Sequence, residues 1–336
     1  MNVDLPLAWA VLILFGVMMY VVMDGFDLGI GILYPFHADK ADRDVMMNTV
    51  APVWDGNETW LVLGGAGLFV AFPVAYAAIL SAFHLPLIFM LVGLIFRGVA
   101  FEFRFKASEG RRHFWDASFA GGSYVATFFQ GVTLGAFLQG VPMQDGKFVA
   151  GAFSWFAPFP LFVGLGLIAA YALLGATWLV MKTEGPLQER LRAHGRVLTF
   201  VLLAVIGVIS LWTPLAQPQV AQKWFSWPGM LVFSPVPLLV VACGAMLLKT
   251  LGDPRRDTMP FLLTLALVFL GYSGLGISLW PNVVPPSMSI WQAAGPDKSL
   301  AFTLVGALAI VPVILGYTAW SYWVFRGKVR AEDGYH

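Results

Sequence analysis

Charge is scarce in this sequence. Of its 336 residues only 12% are Asp, Glu, Lys or Arg, about half the share that a water-soluble domain carries. Cysteine is scarcer still: Cys243 stands alone, so no disulfide can form within the chain and no thiolate metal cluster exists. Histidine occurs five times, without an H-x-x-H pair, and no glycine-rich loop matches a dinucleotide or phosphate motif. A formal net charge of +1 gives no basic field for nucleic acid. Internal repeats, low-complexity linkers and a soluble domain are also lacking. The start, Met1-Asn2-Val3-Asp4, has no basic stretch and no small-x-small site after the first apolar run, so that run is expected to stay as a membrane span.

What is present is apolar surface. Hydrophobic residues make up 59%, aromatics 15%, and the mean hydropathy is +0.77. Too little polar surface remains to coat a soluble body, and the chain reads as an all-α integral membrane protein, one polytopic domain over residues 1–336. Nine runs approach the ~20 residues a spanning helix needs: Leu7 to Tyr34, Ala51 to Phe72, Val74 to Ala100, Phe114 to Leu138, Trp155 to Met181, Val197 to Trp212, Pro228 to Lys249, Thr258 to Trp280 and Ser299 to Phe325. The sixth is the shortest. Pro73 sits in a tight turn that should set the second and third spans antiparallel and in contact. Of the 20 Lys and Arg, all but Lys147, Lys223 and Lys298 fall in alternate connections on one side. The positive-inside rule then puts the C-terminus in the cytoplasm and the N-terminus outside, in the periplasm. Trp9, Trp155, Trp227 and Trp280, near span ends, read as interface anchors.

Carboxylates within spans are costly unless paired or wetted, and each is a functional candidate. Asp24 and Asp27 lie one helical turn apart, and Gly25 with Gly29 forms a small-x-x-x-small pair that invites another backbone. Asp55 and Glu58 repeat the spacing at the start of the second span. There Asn48 or Thr49 is expected to cap the helix, Pro52 to fit its first turn, and Asp55, half-buried, to meet the positive end of the helix dipole. Both pairs face the cytoplasmic layer. Two readings stand: carboxyls that hold and pass protons, or structural partners of Arg97, Arg104 or other basic residues. Arg97 is expected to pair with Glu102, while Arg104 and Lys106 read as headgroup anchors. His84, near mid-depth of the third span, reads as a polar core histidine, and His37, His113, His194 and His336 fall in loops or the tail. Gly64-Gly65-Ala66-Gly67 reads as a helix-packing stretch.

The carboxylate segments carry a longer signature. Asp24-Gly25-Phe26-Asp27-Leu28-Gly29 and Asn48-Thr49-Val50-Ala51-Pro52-Val53-Trp54-Asp55-Gly56-Asn57-Glu58-Thr59-Trp60-Leu61 resemble the opening of subunit II of the cytochrome bd-type quinol oxidases. The likeness continues through Phe96-Arg97-Gly98-Val99-Ala100-Phe101-Glu102-Phe103-Arg104, Leu138-Gln139-Gly140-Val141-Pro142, Pro281-Asn282-Val283-Val284-Pro285, Ser289-Ile290-Trp291 and Tyr317-Thr318-Ala319-Trp320-Ser321-Tyr322-Trp323. The compact length and short loops look like the cyanide-insensitive branch. The resemblance implies a bacterial inner-membrane heterodimer with a haem-bearing subunit I, in which two haems b, haem d and the quinol-oxidising loop belong to the partner. It implies quinol and dioxygen as substrates of the complex, small single-helix accessory subunits, and a structural quinone in subunit II of some relatives. Asp55 would lie on a cytoplasmic proton route at the subunit interface, with Asp24, Asp27 and Glu58 as further members, and Trp54, Gly56, Asn57, Trp60 and Arg97 as motif or interface residues. A proton-coupled secondary transporter using the same carboxylates is the alternative, although such proteins often show inverted repeats, which this sequence lacks.

Overall fold

The computed structural model describes residues 3–144 and 147–330; His336 and the start Met1-Asn2 lie outside them. Nine long helices occupy the nine apolar runs: α1 (Leu5–Leu33), α2 (Trp54–Ala71), α3 (Pro73–Arg104), α4 (Glu109–Gln139), α5 (Pro158–Lys182), α6 (Gly185–Ala216), α7 (Pro235–Leu251), α8 (Met259–Leu279) and α9 (Asp297–Val324). Seven of them, all but α2 and α4, are long and apolar enough to cross a membrane, α7 together with the short helix Gly229–Phe233 that leads into it, as a multi-pass membrane protein requires. α2 has only 18 residues and opens on Asp55, Asn57 and Glu58; α4 is diluted by Gly, Ser, Thr and Gln. The sixth run, short in sequence, proves to be a 32-residue helix because α6 begins at Gly185, well before the apolar stretch. Two short hairpins, Met143–Gln144 with Lys147–Phe148 and Asn282–Val284 with Met288–Ser289, are the strands among the described residues.

The core forms around α1 and α5. From Met23 to Leu33 every residue of α1 is buried, and α5 is buried along most of its length, as befits helices apolar on all sides. They cross at Gly29 and Gly175: a Cβ on Gly29 would lie 1.8 Å from the carbonyl oxygen of Tyr171. Of the small-residue pair read from sequence, Gly29 thus meets the backbone of α5, and Gly25 the side chains of Tyr171 and Leu174. Gly93 of α3 and Gly122 of α4 make a second such approach. α3 is kinked at Phe83, where Pro86 has no N–H for the carbonyl of Ala82.

Several expectations are corrected. α2 and α3 do meet as expected, also far from their turn where Trp54 and Glu58 reach Phe101 and Arg97, but α2 packs chiefly on α1, and α3 on α4. The first turn of α2 has no side-chain cap: Val53 takes that place, Thr49 ends the preceding short helix Lys40–Asn48, and Pro52 stays in the turn between them. Trp9 and Trp155 are core residues, Trp9 donating its indole N–H to the Leu300 carbonyl, whereas Trp227 and Trp280 are exposed as anchors should be. Gly64 and Gly67 face Val17 and Ile13 of α1, in line with packing, while Gly65 meets nothing.

Candidate functional site

The end of α1, the start of α2 and the end of α3 converge on one layer, and there the chain buries its charges. Arg97 and Asp24 are both 0% exposed, with Arg97 Nη1 2.7 Å from Asp24 Oδ1. Arg97 Nη2 donates to Glu58 Oε2 at 2.8 Å, and the Glu58 side chain is 30% exposed. The guanidinium lies 5.8 Å from the Trp54 ring, which stacks on Phe101. Asn57 Nδ2 donates to Asp27 Oδ2 at 2.8 Å, and Asn57 Oδ1 accepts from the Tyr322 hydroxyl of α9 at 2.8 Å. Deeper in the bundle, Tyr171 donates to Gln130 Oε1 and Gln130 Nε2 to the Tyr20 hydroxyl, beside Asp24. Asp24 Oδ2, Asp27 Oδ1 and the indole N–H of the buried Trp60 have no hydrogen-bond partner among the described residues. Buried carboxylate oxygens without a protein partner are rare, and each calls for a water, an ion or a proton.

Of the sequence candidates, Asp24, Asp27, Asn57, Glu58 and Arg97 come together and Trp54 covers them. Asp55 does not join: it is exposed, with no ion-pair partner among the described residues, so the half-buried position expected of it is corrected. A helical spacing of three leaves room for Glu58 to turn toward α3 while Asp55 faces out. Gly56 lies near the Tyr317 ring of α9. The Arg97–Glu102 pair is also corrected: Glu102 points outward to Lys106, because the inner face of α3 already carries Arg97 toward α1 and α2.

A second network was missed. Arg104, read as a headgroup anchor, is buried at 1% exposure and bonded to Asp116 at 2.5 Å and to Asp44 at 2.6 Å; Arg43 joins Asp116 at 3.1 Å. Tyr34 lies between the two guanidiniums and donates to Asp116. The available signal was the acidic run Asp39, Asp42 and Asp44 in an otherwise basic layer. Tyr20, Gln130 and Tyr171 carried no signal that set them apart from ordinary core residues, and Tyr322 stood in a signature segment without a role of its own.

Histidine placement is corrected too. His84 is exposed on α3, its Nδ1 donating back to the Ser81 carbonyl, rather than in the core. His113 and His194 lie on helices, not loops. The cavity of about 590 Å³ at the α3–α4 turn is bordered by Phe103, Lys106, Arg111, Phe114 and Trp115 and offers no His, Met or Cys. That cavity therefore offers no axial ligand to a haem iron.

A family model for cytochrome bd terminal oxidase subunit II matches residues 5–325. Cytochrome bd-I ubiquinol oxidase subunit 2 of Escherichia coli K12 is 33% identical across 94% of this chain and 92% of the relative. Cytochrome bd ubiquinol oxidase subunit 2 of Bacillus subtilis is 29% identical across 97% of each. The chain also superposes on one from the structure of bd oxidase from Geobacillus thermodenitrificans with a TM-score of 0.80, over 96% of this chain and 99% of that one; at 16% identity the likeness concerns the fold. These matches set the transporter alternative aside. With residues 5–325 matched by the family model and a relative 33% identical over 94% of its length, the chain belongs to the family of subunit II of the cytochrome bd terminal oxidases, quinol:oxygen oxidoreductases of the respiratory chain.

Proposed function

We propose that this subunit II carries protons from the cytoplasm toward a haem-bearing subunit I, through the layer that holds Asp55, Glu58, Asp24 and Asp27. The observation that carries the reading is the junction at Arg97, which ties the partly exposed Glu58 to the wholly buried Asp24. Asp24 and Glu58 share the Arg97 guanidinium, and Asp27, held by Asn57 one turn from Asp24, adds a third carboxyl to the same layer. Full ionisation of all three would leave excess negative charge in a dry interior, so the group has room to take up and release protons. Asp55, exposed beside Glu58, is the entry, and Asn57 with Tyr322 holds Asp27 in place. Nine spanning helices in one domain, the N-terminus in the periplasm and the C-terminus in the cytoplasm complete the arrangement, which suits a bacterial inner membrane.

In this reading the haems b and d and the site of quinol oxidation lie in the partner subunit. Quinol oxidation releases protons outside, dioxygen reduction consumes them from inside, and charge is separated without a pump. This chain supplies the scaffold and the inner half of the route. A bound quinone or single-helix accessory subunits, as in some relatives, would sit on outer faces of the bundle. The test is Asp55→Asn in the assembled oxidase, read by haem content and by oxygen consumption with quinol. Full haem with turnover reduced about tenfold or more is the expected outcome, the scale that loss of a proton-transfer group typically reaches. Full haem with unchanged turnover removes Asp55 from the route, and loss of haem assigns the residue to assembly.

A further inference from the structure

Inward of the carboxylate layer, three polar side chains link α1, α4 and α5 across the bundle. Tyr171 donates to Gln130 Oε1 at 3.0 Å, and Gln130 Nε2 donates to the Tyr20 hydroxyl at 2.6 Å. Both tyrosines are buried. Buried polar groups are costly unless their hydrogen bonds are complete, and this chain is open at one end. The Tyr20 oxygen accepts from Gln130, so its own hydrogen is left over, and a hydroxyl hydrogen rotates to whatever acceptor is near. Asp24 follows one turn later on the same face of α1, with the Tyr20 hydroxyl as its hydrogen-bonding neighbour. The other groups facing Asp24 are already engaged. Arg97 meets its Oδ1, Tyr171 is committed to Gln130, and the carboxyls of Asp27 and Glu58 hold Asn57 and Arg97. Tyr20 is the donor left for Asp24 Oδ2, the oxygen without a partner. Turning the Gln130 amide over would spend the Tyr20 hydrogen on Gln130 and leave that oxygen with none.

We propose that Tyr20 is a positioning residue for proton transfer: its hydroxyl, oriented by Gln130 and Tyr171, donates to Asp24 and holds that carboxyl as the inner end of the route. The inference rests on the proton-carrying reading of the carboxylate layer. A hydroxyl aimed at a carboxylate makes a charge-assisted bond, stronger than one between neutral groups, and it fixes the direction in which the carboxyl faces its neighbours. Filling the space between α1, α4 and α5 would need no hydroxyl, since matched apolar groups can replace a hydrogen-bonded pair at little cost. Tyr20 acts through Asp24 and is not itself a relay. The Gln130 amide donates through its –NH₂ and accepts through its carbonyl but has no proton to release near neutral pH, so the chain orients a hydroxyl and passes no proton on toward Tyr171. A proton that reaches Asp24 therefore does not travel deeper into this subunit.

The test uses the assembled oxidase and its reduced-minus-oxidised infrared difference spectrum, in which a carboxyl that takes up a proton shows a C=O stretching band. Asp24→Asn identifies the Asp24 band by removing it. In Tyr20→Phe the band is expected to remain and to move to higher frequency, because its C=O has lost a donor, with haem content kept and turnover with quinol falling by less than in Asp24→Asn. Adding Tyr20→Phe to Asp24→Asn should cost no further turnover; a further loss would mean that Tyr20 acts elsewhere and would overturn the proposal. A band unmoved in Tyr20→Phe would overturn the role of Tyr20 and leave the route standing. No band lost in Asp24→Asn would overturn the route at Asp24 together with the role of Tyr20. If Tyr20→Phe does not assemble, Gln130→Leu keeps the hydroxyl but releases it. There the same band is expected to shift, and an unchanged band would overturn the proposal.

Discussion

Replacing Arg97 by Gln would leave Asp24 buried without its facing cation and Glu58 without a donor. Stranding a buried charge in this way typically costs ~3–5 kcal/mol. We expect a corresponding fall in the thermal unfolding temperature of the detergent-purified complex, and a smaller combined loss when Asp24→Asn is added, since the stranded charge is then gone. Arg97→Lys should rescue only in part, because one ammonium cannot reproduce a fork that faces two carboxyls. Sequence spacing made Asp24 with Asp27, and Asp55 with Glu58, legible as two pairs facing one layer, since a turn of helix sets each pair. It could not identify Glu58 as the inward member and Asp55 as the outward one, because that depends on where α3 stands relative to α2. The same gap produced the Arg97–Glu102 expectation: neighbours in sequence were visible, and the partner across the bundle was not.

At the scale of the element, the crossing of α1 and α5 is decided by the absence of side chains. A Cβ at Gly29 would strike the Tyr171 carbonyl and the Gly175 amide, both backbone, so neither can swing away. Gly29→Ala should cost about 3 kcal/mol or more, at the upper end for overpacking, whereas Gly65→Ala on α2, with open space around it, should stay within ~0.5 kcal/mol. Thermal unfolding followed by tryptophan fluorescence distinguishes the two. The sequence announced the small face of α1 but not which helix would lie on it. The long helices among the described residues were legible from hydropathy because crossing a bilayer demands long apolar runs, and seven of them are apolar enough to span one. Their lateral order was not, since lipid and protein core are equally apolar and leave no periodic stripe to read. The buried Trp9 and Trp155 belong to the same failure: proximity to a span end indicates depth and says nothing about whether lipid or protein stands beside the ring.

Across the whole molecule, the segment after α9 folds back as a strap over the α5–α6 turn. The Lys182 ammonium donates to the carbonyls of Phe325 and Gly327, the Val329 amide donates to the Lys182 carbonyl, and Lys328 bonds Thr183 and Asp257. Partial burial pushes the Asp257 carboxyl up, but Lys328 and Arg192 outweigh it and hold it below its ordinary value. A carboxyl held low in the folded chain contributes stability above its unfolded value of about 3.9, and that contribution is lost as the pH falls through the folded value. The strap should therefore stay closed from pH 5 upward, to within ~1 unit, and loosen below about pH 4. Hydrogen exchange at residues 326–330 checks this, with Asp257→Asn expected to be loose at every pH. Synthesis gives the same contacts a temporal meaning. Lys182 leaves the ribosome 143 residues ahead of Phe325, so during most of translation its ammonium has none of the carbonyls that will hold it. The inner end of the helix bundle is fastened only when the strap arrives, and a chain stalled before that point presents an unlatched lysine on which cellular quality control can act.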